Sequence, residues 1–141
     1  MDGVGGREQT ARMTDTVAPV DPPQLVTSPA FAQGMIVPPG PLLFVGGQNG
    51  IDGEGTLLKG LRAQTEQALR NVKAVLAEAG TGPEHVAKLT IYLTTGVDPN
   101  DAYAASAAEW TTRTAVTVIG VPMSRPGVLV EIEAVAAIPA A

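Results

Sequence analysis

Apolar and polar residues alternate most regularly in "VAKLTIYLT" (86–94), where Ala87, Leu89, Ile91 and Leu93 fall on one side and Lys88, Thr90, Tyr92 and Thr94 on the other. A period of two predicts a strand buried on one face only. Between Leu61 and Ala79 the period changes. Leu61, Thr65, Ala68, Val72, Val75 and Ala79 recur at helical spacing, Leu69 and Leu76 widen the stripe, and Gly80 stands where a helix-ending glycine belongs. A second helix is predicted from Asp98, a side-chain acceptor at the N-cap followed by Pro99, and its spacing puts Tyr103, Ala107 and Trp110 on one face. "LLFVGGQ" (42–48) reads as a buried strand stopped by glycines, Ala115 to Val121 as a further strand, and Val128 to Ile138 as the last. "GGQNGIDGEG" (46–55) is turn chemistry; no GK[ST] follows it, so a phosphate cradle is not indicated. Strands, helix, strand, helix, strand, strand is the order of an α+β fold with both helices on one face of a mixed sheet.

The last strand breaks its own pattern. In "GVLVEIEAVAAIP" (127–139) Val128, Val130, Ile132 and Ala134 form one wholly apolar face, whereas Leu129, Glu131, Glu133 and Val135 share the other. Two carboxylates flanked by Leu and Val fit plain solvent poorly. Since both helices are spent on the apolar face, a second copy of the chain is the simplest cover for the face that carries Glu131 and Glu133.

Composition narrows the chemistry. The 141 residues suffice for one core; the segment 1–23, rich in Gly, Asp, Thr and Pro, is expected to be a flexible tail ahead of a single domain at 24–141, with Met1 or Met13 as the start. The absence of Cys removes thiolate nucleophiles, disulfides and cysteine metal sites, and the single His85, better placed to cap a turn, cannot build a zinc site alone. No metal and no cofactor are expected. The net charge of −5, with Lys and Arg scattered, argues against nucleic acid as partner, and no apolar run is long enough to cross a membrane. A cytoplasmic location is the corresponding expectation.

In order and spacing, "LLFVGGQNGIDGEG", "AQTEQALRNVKAVLAEAG", "VAKLTIYLT" and "GVLVEIEAVAA" resemble the RidA/YjgF family of small reactive-intermediate deaminases, over roughly residues 28–138. The resemblance implies a chorismate-mutase-like α+β fold assembled as a homotrimeric barrel, with clefts between subunits that hydrolyse imino or enamine acids to oxo acids and ammonia. It also implies a site in which Glu131 positions water. Phe31 takes the place of a family Tyr and Gly46 that of a family Ser; Gln48 and Asn49, which end a strand beside Gly46, are candidates to line the cleft, with turn stabilisation the other reading of Asn49. The family's carboxylate-binding Arg lies fifteen positions before that Glu, which an ungapped count makes Val116 here. Val offers no donors to an anion, so ordinary 2-imino acid deamination is not expected unless Arg113 or Arg125 replaces the lost charge. The expected ligand is then a small neutral or cationic imine, enamine or related labile metabolite, with Glu131 poised for proton transfer in an apolar setting. The alternative is a non-catalytic metabolite-binding or chaperone-like trimer, and an RNA-cleaving role is the weakest reading for so acidic a chain.

Overall fold

The computed structural model describes residues 16–141. In chain order the elements are β1 (Ala18–Val20), β2 (Gly34–Ile36), β3 (Leu42–Asn49), α1 (Leu61–Glu78), β4 (Val86–Thr94), α2 (Pro99–Ser106), β5 (Ala115–Val121) and β6 (Val130–Ala137). The main sheet has the order β3–β6–β4–β5; β4 and β5 run parallel, and β6 runs antiparallel to both β3 and β4. This is the expected mixed sheet with two helices on one face.

Each element follows from its residues. The apolar stripe of α1 buries Ala68, Leu69, Val72 and Leu76 against Val45, Leu89, Leu93, Val130, Ile132 and Ala134 of the sheet. It stops because Gly80 takes a φ of 79°, which lets Gly80 N donate to Ala77 O and Thr81 N to Leu76 O, a Schellman closure. In α2 the Asp98 carboxylate accepts from Asn100 N at 2.9 Å, with Pro99 next in the chain, as the capping residues predict.

Three expectations change. The second helix ends at Ser106, and its buried residues are Ala102 and Ala105, while Tyr103 is 61% exposed. Beyond it, Glu109 is pulled across to Arg70 and Lys73 of α1 at 3.0 and 3.3 Å, and Trp110 packs against the core from a non-helical segment. The "LLFVGGQ" strand is a sheet edge rather than a buried strand: Val45 alone is buried, and Phe44 is 72% exposed. The tail expected through Pro23 is structured at its described end, because β1 pairs with β2 and Val17 packs with Ala87 and Ala137. Residues 1–15 of that tail lie outside the described residues.

The β1–β2 hairpin, through Val17, Met35 and Val37, covers one end of the sheet. On the side away from the helices no helix of the described chain lies over the sheet: Phe44 and Ile119 are exposed, Ile119 at 48%, and Glu131 and Glu133 are half-buried. No helix of the described residues is long and apolar enough to cross a membrane.

Candidate functional site

Strand register decides which side chains share the uncovered face. Tyr92 of β4 stands opposite Glu131 of β6 and Ile119 of β5; Thr90 stands opposite Glu133, and Lys88 opposite Val135. Directly opposed residues point the same way, so Lys88, Thr90, Tyr92, Thr117, Ile119, Glu131 and Glu133 line one surface. Lys88 Nζ donates to Thr117 Oγ1, and the Tyr92 hydroxyl donates to Glu133 Oε1 at 2.6 Å. Glu133 is thereby engaged. Among the described residues the Glu131 carboxylate accepts no hydrogen bond and joins no ion pair.

Room for that carboxylate comes from β3. Its register against β6 slips between Val45 and Gln48, so Gly46 and Gly47 form a bulge. A Cβ on Gly47 would lie 2.7 Å from Glu131 Cδ, whereas a Cβ on Gly46 would meet nothing within 4 Å. Gly47 is thus the glycine that Glu131 requires, and Gly46 lines a hollow of about 360 Å³ with Phe44, Lys88, Thr90 and Glu133. Two adjacent glycines inside an otherwise apolar strand were the signal for a bulge. Gln48 pairs with Ile132, and its amide turns back to Gly46 O at 3.2 Å; Asn49 is the residue opposite Glu131.

The hydrogen bond to Glu133 holds the Tyr92 phenol proton, and burial and the charges of Glu133 and Glu131 act with it, so the Tyr92 pKa lies above its ordinary value. A group raised on folding contributes stability that is present below its unfolded pKa, near 10, and is lost as pH rises through the folded value. In a Tyr103→Phe variant, where Tyr92 is the only tyrosine left, absorbance titration should show phenolate forming above the usual range, and Glu133→Gln should bring the midpoint down. An unchanged midpoint in Glu133→Gln would remove the hydrogen bond as the cause.

A second polar cluster lies elsewhere on the chain. Arg113, just ahead of β5, donates from Nε to Ser28 O at 3.0 Å and from Nη2 to Phe31 O and Asp21 Oδ2, both at 2.9 Å. Gln33 N donates to the other Asp21 oxygen at 3.1 Å; this bond first, then Arg113, holds the Asp21 pKa below its ordinary value. Phe31 therefore belongs with Arg113. Along β4, Ala115 is opposite Lys88 and Glu131 is opposite Tyr92, and two inter-strand steps separate β5 from β6. At about 3.3 Å per residue and 4.8 Å per strand, Arg113 and Glu131 of one chain stand on the order of 20 Å apart.

Val116 belongs to neither cluster. It stands opposite Leu89 and packs with the core on the helix side, the reverse face from Glu131. The ungapped count from Glu131 thus leads into the core, and the eight-residue connection 122–129 between β5 and β6 is where chain length can differ. Arg125 lies exposed in that connection. Among the described residues no group of three or more His, Cys, Asp or Glu side chains is gathered as a metal site requires.

Comparison with known proteins points one way. The family model described as "Endoribonuclease L-PSP" matches residues 24–138. A RutC family protein of Pyrococcus abyssi is 39% identical over 103 residues, covering 69% of this chain and 79% of that protein. A RutC family protein of Aquifex aeolicus is 47% identical over a shorter stretch of 53 residues, 37% of this chain and 42% of the relative. Among solved structures, YyfB of the Rid family from Yersinia pestis superposes with a TM-score of 0.77 at 30% identity, over 86% of this chain and 98% of that one. RidA from an Antarctic Psychrobacter gives 0.65 at 29% identity, over 89% and 97%.

Proposed function

Because the chain belongs to the RidA/YjgF family, the endoribonuclease L-PSP family of the matching model, we propose that it is a cofactor-free hydrolase of small imines or enamines, acting as a homotrimer with sites between subunits. One observation carries this reading: among the described residues Glu131 is a carboxylate without a hydrogen-bond or ion-pair partner, given room by Gly47, on a sheet face over which the described residues place no helix. In the proposed reaction water adds to the imine carbon as Glu131 takes one of its protons. Glu131 returns that proton to nitrogen to give a carbinolamine, then relays the carbinolamine's hydroxyl proton to nitrogen as the C–N bond breaks, so that carbonyl product and ammonia leave and imine plus water balance carbonyl plus ammonia.

Arg113 and Phe31 are too far from Glu131 to act with it inside one protomer, but a neighbour can bring its own pair to the cleft. Mixing Glu131→Gln with Arg113→Ala protomers therefore tests the arrangement. If each site draws one residue from each of two subunits, a random equal mixture recovers about a quarter of wild-type ammonia release from two inactive parents. Recovery of nothing, with mixed trimers verified by mass spectrometry, would place both residues' functions within one protomer and end the two-subunit reading.

Ordinary 2-imino acids are disfavoured for a reason other than Val116. The Arg113 guanidinium already holds the Asp21 carboxylate, and an anionic guest must compete for it. Asp21→Asn should lower KM for 2-iminobutyrate several-fold and leave KM for an uncharged imine unchanged. Equal effects on both would show that Asp21 does not screen Arg113 from anions.

A further inference from the structure

On the opposite side of the sheet from Glu131, a cleft of about 240 Å³ opens between α2 and the β4–β5 edge. We infer that this cleft is a second binding site, for a small uncharged molecule with an apolar body and one hydrogen-bond acceptor. The reasons lie in its walls. The lining is mainly apolar, with Leu69, Leu89, Ile91, Ala102, Val116 and Val118 among its walls, and among the described residues no Asp, Glu, Lys, Arg or His contributes to it. A charged guest would lose its hydration there without compensation. An apolar cavity of about 150 Å³ is already large enough to take benzene, so this one admits a substituted ring.

Tyr103, Ser106, Thr111 and Thr112 also line the cleft, but two of its polar side chains are buried without a partner. Thr65 is 2% exposed, and among the described residues its hydroxyl has no hydrogen-bond partner; the indole N–H of Trp110 is likewise buried and unpartnered among them. A helical Thr has two accessible χ1 wells, and the Thr65 hydroxyl changes well without breaking a bond it lacks, so it can turn to an acceptor entering the cleft. Leaving a buried donor unpaired is costly, so a guest that pairs it gains over one that only fills space. The early end of α2 at Ser106 and the turn that follows leave the cleft unfilled: Trp110 forms one wall rather than a plug, and the exposed Tyr103 stands at its rim.

The chain's single Trp makes the test direct. In nitrogen-15 correlation spectra of the full chain, acetophenone should move the one indole cross-peak saturably. Ethylbenzene, the same shape without an acceptor, should bind at least fivefold more weakly. Thr65→Val should abolish that preference, Ala102→Leu and Val118→Phe should each weaken acetophenone at least tenfold by filling the space, and Glu131→Gln should leave the titration unchanged. Failure of the peak to saturate, or equal binding in both cleft-filling variants that retain native circular dichroism, would overturn the site. Equal affinity for the two probes would overturn the acceptor requirement. Because the readout does not depend on hydrolysis, it stands or falls separately from the open-face activity.

Discussion

Replacing Glu131 with Gln should lower turnover by about a hundredfold or more while ligand affinity changes little, because a positioned acid–base group contributes roughly 10²–10⁴ in rate. Gln has nearly the shape of Glu and fits the space that Gly47 leaves, but its amide cannot take a proton from water. Since Glu131 accepts no hydrogen bond and joins no ion pair among the described residues, the substitution breaks neither there and should leave the melting temperature in place. That separates chemistry from stability. Initial rates of ammonia release, paired with calorimetric binding of a substrate analogue, read the two quantities independently. Turnover equal to wild type would remove Glu131 from the reaction; weakened binding in a protein that never turned over would make the cleft a binding site only.

What was legible in the sequence is what periodicity encodes. Alternation from Lys88 onward in β4, the wide stripe of α1, and the Asp98–Pro99 start of α2 each state a local rule that tertiary packing did not need to override; at the start of β4 a register shift against β6 does override it, placing Val86 in the main core and Ala87 with Val17 and Ala137. The split of β6 into an apolar face and a Glu131/Glu133 face was equally readable, since a strand's side chains can only alternate. Failures came where position depends on partners far along the chain. Val116 looked equivalent to a site residue by counting, but parallel pairing with Leu89 fixes its face, and counting across a connection of variable length cannot see that pairing. Gly46 and Gly47 are indistinguishable as letters; the bulge decides which of them meets Glu131. Asp21 read as part of a featureless tail because its partners, Gln33 and Arg113, are 12 and 92 residues away.

Gln64 escaped notice for the same reason, and its removal should have the largest effect on stability. It lies on the buried stripe of α1 at 2% exposure, where an apolar residue would be expected. Its amide donates to Leu58 O at 3.0 Å and Gly127 O at 2.9 Å, and its carbonyl accepts from Leu129 N at 2.8 Å. One side chain thus ties the start of the helix to the loop before it and to the chain entering β6, two residues ahead of Glu131. Gly50 lets the helix come this close, since a Cβ there would stand 2.4 Å from Gln64 Cα. Leu in place of Gln fills similar volume but leaves two carbonyls and one N–H, part-buried, without their partner. At about 1–3 kcal/mol for each such group, offset by roughly 1–2 kcal/mol of apolar gain, Gln64→Leu should cost about 3 kcal/mol. For a chain of this size the midpoint of thermal unfolding should fall by about 10 °C, compared at equal protein concentration because assembly shifts it. Gln64→Glu discriminates the mechanism: at neutral pH its carboxylate faces two carbonyls and should be at least as damaging as Leu. Acidification restores one donor, and the deficit relative to wild type should then narrow. If Gln64→Leu were as stable as wild type, the three bonds would carry no net stability, and the anchoring of β6 would have to come from the packing of Val128 and Val130 alone.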